Sequence, residues 1–270
     1  MNRLMLDIKD FHSVKGEITT LGSKIFANTR SDNTAPTIER LFRAGAIMHC
    51  RTTTPEFAHS GTTKSPLWGI TRNPWNLDYG PGGSSGGAGA AVAAGMTTIA
   101  DGTDGGGSIR IPAAHCGIVG LKPTYGLASI RGIIPLSVSL DHVGPMCRSV
   151  ADAALVLQAL AGYDPRDIAS VSSAVPNYSA GLQRSVSELR IGLPRTFFFE
   201  DIDPQILNAV EVAVDVLGEL TAVEAELEQA SRAYGDDFQA VLPLNSWHER
   251  VLRTQAWLWR SRGLEPLTLW

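Results

Sequence analysis

A chain of 270 residues that is 44% hydrophobic and 19% charged can bury a substantial core, as one large domain or two smaller ones, and reads as globular. Its net charge of -4 and pI near 5.9, with no run of like charges, leave no basic field for direct contact with nucleic acid. The longest weakly polar stretch, residues 88–100, falls short of the roughly 20 residues that span a bilayer, so no membrane partner is expected.

At the amino terminus, MNRLMLDIKDFH, Asp7, Lys9 and Asp10 interrupt the apolar residues before a signal peptide could form. Cys50, Cys116 and Cys147 are widely spaced and odd in number, which suits a reduced, cytoplasmic setting better than a disulfide framework. The histidines (His12, His49, His59, His115, His142, His248) show no H-E-x-x-H or similar spacing. Each is expected at the surface or satisfied in the core, with no metal and no cofactor.

Residues 37–46, TIERLFRAGA, have helical apolar spacing and a closing glycine, and a short strand over 46–49 should follow. From 54 to 81 proline, glycine, threonine and asparagine dominate, the mark of a long irregular connection. The small residues of 86–96, GGAGAAVAAGM, predict a buried helix that another element can approach closely. Strands are expected over 97–100 and within 116–126, the latter ending at a Lys-Pro turn. Residues 149–161 predict a helix with Ser149 as N-cap and Asp152 three positions on. A polar stretch, 164–179, precedes a strand at 189–194 and a helix from Asp203-Pro204 to about Leu217. Alternating strands and helices argue for an α/β fold.

Two clusters carry the chemistry: GPGGSSGG at 80–87 and DGTDGGGSIRIPAAHCG at 101–117. Three glycines before Ser108 remove every β-carbon from the approach, so backbone N–H groups can converge there. Such a nest suits the oxyanion formed when a serine attacks a carbonyl, where one lost donor costs about 2.7–4 kcal/mol. Ser108 is thus a candidate nucleophile, and Gly105, Gly106 and Gly107 candidate substrate-binding positions. Neither G-x-x-x-x-G-K-[ST] nor G-x-G-x-x-G is present, which weakens a phosphate or dinucleotide reading; a plain turn remains open.

The nucleophile needs a base. Residues 82–86 fit a G-x-S-x-G elbow with His142 or His248 downstream, but the preceding TRNPWNLDYGP makes a poor strand, and this reading ranks second. The other base is a lysine kept neutral by burial. Lys9 follows an apolar stretch, although an isolated lysine is far more often at the surface.

The blocks GPGGSSGGAGAAVAAG, GTDGGGSIRIPAAHCGIVGLKPTYG and SLDHVGPMCRSVADAALVLQALAG, with IKDFHSVKGEITTLGS and RTTTPEFAHSG upstream, together resemble the amidase signature family. The resemblance runs from about Met5 to Phe199 with the blocks in the family's order. It implies a mixed β-sheet core flanked by helices, incomplete at both ends, with the amidase signature core over residues 1–199 and a divergent C-terminal region over 200–270. It also implies a Ser-cisSer-Lys triad of Lys9, Ser84 and Ser108, spaced by 75 and 24 residues, with a cis peptide at Gly83–Ser84. Ser85 is the lesser candidate for the bridge. Asp104 and Arg110 should brace the loop, Cys116 should be a core residue, and Arg51 stands where the family often has a lysine.

The activity so implied is hydrolysis of a small carboxylic amide through an acyl-enzyme on Ser108, with a small-molecule amide as partner and a homodimer as the candidate assembly. One alternative is the glutamine-hydrolysing subunit of a tRNA-dependent amidotransferase. Another is an inactive, shortened member acting as an interaction protein. The tail, with Trp257, Trp259 and Trp270, matches no block of the resemblance.

Overall fold

Apolar strands and small-residue helices alternate along the chain, and the computed structural model, which describes residues 4–193, 199 and 201–224, shows how they pair. Contacts divide the chain into two compact units, Met1–Leu182 and Gln183–Trp270. The first holds, in order, β1 (Met5–Lys9), α1 (Pro36–Arg43), β2 (Ile47–Thr52), β3 (Lys64–Ser65), β4 (Gly69–Ile70), α2 (Gly86–Ala93), β5 (Ile99–Thr103), α3 (Arg110–Cys116), β6 (Val119–Gly120), β7 (Val143–Cys147), α4 (Val150–Leu160) and α5 (Tyr178–Gly181).

Five of these strands form one mixed sheet in the order β2-β1-β5-β7-β6. β1 runs parallel to both β2 and β5, while β7 runs antiparallel to β5 and β6. The period-two alternation of strand side chains divides the core in two. Leu6 and Ile8 of β1, Ile99 of β5 and Val143 of β7 join Ile38 and Leu41 of α1 and Val156, Leu157 and Leu160 of α4 in one cluster. Ala100 of β5 and Met146 of β7 meet Ala88 and Val92 of α2, with Ile109, in the other.

Composition explains the fit of α2. A β-carbon on Gly87 would collide with the Thr53 backbone, so the helix can lie against that segment only because it has no side chain there. For α4, the Ser149 hydroxyl accepts from the Asp152 N–H at 3.1 Å, the N-cap that the sequence predicts, and itself donates to Asp152 Oδ2 at 2.7 Å. Between Thr54 and Pro81 only the two-residue strands β3 and β4 and a 3-10 turn at Glu56–Ala58 interrupt irregular chain.

Several strands differ from expectation, among them β2, expected over 46–49 and running from Ile47 to Thr52. β5 starts at Ile99 and continues to Thr103, because Asp101 and Thr103 find partners inside the fold, as described below. The strand expected within 116–126 shrinks to β6, since the apolar run after Ser108 forms α3, closed by Gly117 at φ 66°. β7, Val-Gly-Pro-Met-Cys, is hidden in the sequence by its glycine and proline; Pro145 has no N–H to donate, yet its carbonyl accepts from Leu121 N at 3.0 Å.

In the second unit β8 (Arg190–Gly192) pairs in parallel with β9 (Ala222–Glu224), joined through α6 (Pro204–Leu220). Asp203 caps α6 by accepting from Gln205 N at 2.8 Å, and Pro204 occupies the first turn, where a missing N–H costs least. Among the described residues no helix is long and apolar enough to cross a membrane. His248, Trp257, Trp259 and Trp270 lie outside the described residues.

Candidate active site

The end of β1 carries Lys9 into the interior, where its side chain is fully buried. Its Nζ lies 2.8 Å from Ser84 Oγ and 2.7 Å from Thr103 Oγ1. Burial pushes the amine down to about 7, and the more distant carboxylates of Asp101, Asp104 and Asp141 pull the other way without prevailing. Near neutral pH the amine therefore exists in part as a free base with a lone pair, next to a hydroxyl. Asp101 anchors the backbone on the same strand by accepting from Lys9 N at 2.8 Å. His12 Nδ1 sits 2.5 Å from Asp101 Oδ2, although off the direction of a hydrogen bond.

Ser84 follows a cis peptide bond, Gly83–Ser84, and is fully buried. A β-carbon on Gly83 would stand 2.9 Å from backbone atoms of Ser60, Gly61 and Thr62, so the segment carrying Ser84 packs directly on a neighbouring loop. Ser85 points elsewhere: its Oγ accepts from Thr103 N at 3.3 Å, while its own N–H donates to Ser108 O at 3.1 Å. That last bond ties the two glycine-serine clusters together and sets half-buried Ser108 beside the Ser84–Ser85 segment.

The loop of residues 104–108 is organised by a buried carboxylate. Asp104 accepts from the N–H groups of Gly107 at 2.7 Å and Ile109 at 3.1 Å, and from Arg110 Nε and Nη2, each at 3.0 Å. This network holds the Asp104 carboxyl below its ordinary range against the opposing effect of burial. Asp104 and Arg110 thus brace the loop, as the sequence suggests. Gly107 separates from its two neighbours, however: its N–H is already bonded to Asp104 and its φ is 120°. Among the described residues the N–H groups of Gly105, Gly106 and Ser108 meet no protein acceptor, which leaves them able to face an incoming anion.

Other sequence candidates find different places. His142 contacts Leu140 O at 2.6 Å through Nδ1 and Lys122 Nζ at 3.1 Å through Nε2, so both ring nitrogens are engaged away from Ser84. No strand leads directly into Ser84, which removes the structural basis of the elbow. Cys116 is buried with its thiol raised to about 11 by burial, an inert core residue. Arg51 is a half-buried cation with its Nη2 bonded to His12 O at 2.6 Å and 3.6 Å from Asp10 Oδ1. Sequence reasoning missed Thr103, the second partner of the Lys9 amine; a threonine two positions after a buried aspartate on a strand carries no signature of its own.

This arrangement can be set against known proteins. The chain belongs to the amidase family: the family profile, described as Amidase, matches residues 4–250. Among curated proteins it is 44% identical over 230 residues to a glutamyl-tRNA(Gln) amidotransferase subunit of Syntrophobacter fumaroxidans, covering 85% of this chain and 47% of that protein. It is 46% identical over 222 residues to the protein of that name from Pelobacter propionicus, covering 82% and 46%. The chain spans about half the length of the curated relatives it matches. Among solved structures, the equivalent glutamyl-tRNA(Gln) amidotransferase subunit of Thermotoga maritima matches with TM-score 0.79 and 33% identity over 93% of this chain and 57% of that one. A 6-aminohexanoate cyclic dimer hydrolase complexed with substrate matches with TM-score 0.78 and 33% identity over 94% and 55%. The mixed sheet with its helices is the amidase-signature fold of these neighbours.

Proposed function

We propose that the protein hydrolyses carboxylic amides through an acyl-enzyme on Ser108, with Lys9 as base and Ser84 as proton relay. The observation that carries this reading is the fully buried Lys9 amine, lowered to about 7, at 2.8 Å from the hydroxyl of Ser84. Neutral Lys9 takes the Ser84 proton while Ser84 takes that of Ser108. Ser108 Oγ bonds to the amide carbon, and the N–H groups of Gly105, Gly106 and Ser108 stabilise the oxyanion. Collapse breaks the C–N bond, the proton returns through Ser84 to the nitrogen, and ammonia or an amine leaves. Water then attacks the ester by the same relay, releasing the acid and restoring Ser108.

Replacing Ser108 by Ala should lower kcat for amide hydrolysis by at least about 10⁴-fold. A sulfonyl fluoride should add one label per chain on Ser108, seen by intact mass, in the parent protein and not in S108A. Full amide turnover in S108A overturns the proposal. Stoichiometric silence towards the probe in a well-folded protein favours instead the inactive, interaction-only reading.

A second reading is favoured by the names of the curated relatives: that the amide is glutamine and the ammonia passes to a tRNA-dependent amidotransferase reaction. Turnover of glutamine, with and without partner subunits, against turnover of simple aliphatic and aryl amides, separates the two. Glutaminase activity that rises with partner subunits selects the amidotransferase role. Turnover of simple amides by the chain alone selects the general amidase.

A further inference from the structure

On β1, two residues before Lys9, Asp7 is fully buried, and its Oδ2 has no hydrogen-bond partner. Its other oxygen, Oδ1, lies 3.1 Å from His49 Nδ1. The pairing of β1 with β2 explains why His49 and Cys50 both reach this carboxylate. Leu6 stands opposite Met48 but Asp7 stands opposite Cys50, so His49 is an extra residue in the ladder, a β-bulge. A bulge breaks the strict alternation of side chains and can bring two successive residues to one side. The carboxylate oxygen, the imidazole nitrogen and the Cys50 sulfur all lie within 4.8 Å of one another.

We infer that Asp7, His49 and Cys50 form a binding site for a single divalent cation of borderline softness, with Zn²⁺ as the fitting ion. Zinc bonds of about 2.0–2.3 Å at tetrahedral angles separate ligand atoms by roughly 3.3–3.7 Å, a spacing that falls within the 4.8 Å that encloses these donors. One carboxylate, one imidazole and one thiolate are the donor set that selects zinc or cobalt over calcium or magnesium, which prefer oxygen alone. The two negative ligands neutralise the ion. The His49 side chain is 40% exposed, which gives the ion an entry path and leaves a fourth position for water or an outside ligand. The unpartnered Asp7 Oδ2 is a buried acceptor in need of a positive partner, and the ion supplies one. As the metal–sulfur bond forms, the Cys50 thiol proton leaves to solvent. No linear ligand motif marks the site because its donors come from two strands and a bulge.

Titrating the purified chain with Co²⁺ alone tests this. One ion per chain should bind, with a thiolate-to-cobalt charge-transfer band in the near ultraviolet and the strong visible bands of tetrahedral cobalt, and Zn²⁺ should abolish both one for one. Losing a mere outer partner of a metal ligand costs 10–100-fold in affinity, so Cys50→Ser and His49→Ala should each weaken binding by at least about 100-fold. Circular dichroism and melting confirm that each variant folds. In the parent protein Zn²⁺ should slow alkylation of half-buried Cys50, located by peptide mapping, at least tenfold; Cys116 and Cys147 are fully buried. Absence of the thiolate band, or binding unchanged in both folded variants, overturns the inference.

Discussion

The parallel pairing of β1 with β2 brings two cations into neighbouring positions, fully buried Lys9 opposite Thr52 and half-buried Arg51 opposite Ile8. Burial lowers both. Arg51 stays charged, because a guanidinium begins so high that no ordinary burial removes its proton, and because Asp10 and the His12 carbonyl hold it. Lys9 has hydroxyls, not carboxylates, in direct contact, and reaches about 7. The difference lies in partners and chemical type: Arg51 is paired with a carboxylate, while Lys9 is an amine among hydroxyls, the setting that the proposed proton relay requires.

The largest effect should come from removing the Lys9 amine. Lys9→Met should lower kcat by about 10²–10⁴-fold, the range for general base catalysis, and remove the acid limb of the parent's kcat/KM profile, which should rise with pH through about 7 as the amine loses its proton. Stability should move the other way. The folded amine at about 7 lies below the unfolded 10.5, so between those values the unfolded chain holds a proton that the folded chain does not. Folding stability attributable to Lys9 therefore rises with pH across that window, by an amount on the order of 5 kcal/mol, and is flat below it. Lys9→Met should lack this slope and be about 1–4 kcal/mol more stable than the parent at pH 7.5, read by denaturant melts. Equal or lower stability of the folded variant would mean that the amine is charged and paired after all.

Arg51→Met should give the reverse pattern. Removing the guanidinium strips Asp10 of its cation in the interior, while Thr20 N at 2.8 Å and Trp68 Nε1 at 3.2 Å still donate to it. A loss of about 2–4 kcal/mol is expected, somewhat below that of a buried carboxylate left with no donor. Sulfonyl fluoride labelling of Ser108 in the folded fraction should stay within about threefold of the parent. A selective collapse of labelling, with stability intact, would place Arg51 in the catalytic relay and erase the contrast with Lys9.

How far these two roles are legible in the sequence differs residue by residue. Ser108 is a candidate from local chemistry, since three preceding glycines permit a nest, although a plain turn fits the same residues until the surrounding blocks are read. Lys9 does not: as an isolated lysine it reads as surface, and only the order of the surrounding blocks singles it out. Gly107 looks equivalent to Gly105 and Gly106 in sequence, and only the fold shows Asp104 using its N–H at 2.7 Å. The polar stretch after α4 reads as a mere spacer. Yet Asp164 and Asp167 are buried there, and they hold Ser129 and the Ile130 N–H through bonds of 2.6–3.1 Å. Such carboxylates act on residues more than thirty positions away, and neither periodicity nor local propensity carries that information. The same limit hides Thr103, whose partner lies ninety-four positions earlier in the chain.

Thr103 offers the smallest and most discriminating test of the comparison. A neutral amine has one lone pair, and the proposed relay needs it directed at the Ser84 hydroxyl. By accepting an N–H of Lys9 at 2.7 Å, Thr103 Oγ1 fixes the rotation that directs it, a positioning role. Thr103→Val keeps the shape and deletes the acceptor, so kcat should fall about tenfold with KM unchanged, the loss of roughly one hydrogen bond. Because an accepting oxygen favours ammonium over amine, its loss should also move the acid limb of the pH profile below 7. Thr103→Ser should restore both rate and limb. A fall in rate with no movement of the limb, unrescued by serine, would assign Thr103 to packing and leave the orientation of Lys9 to Ser84 alone.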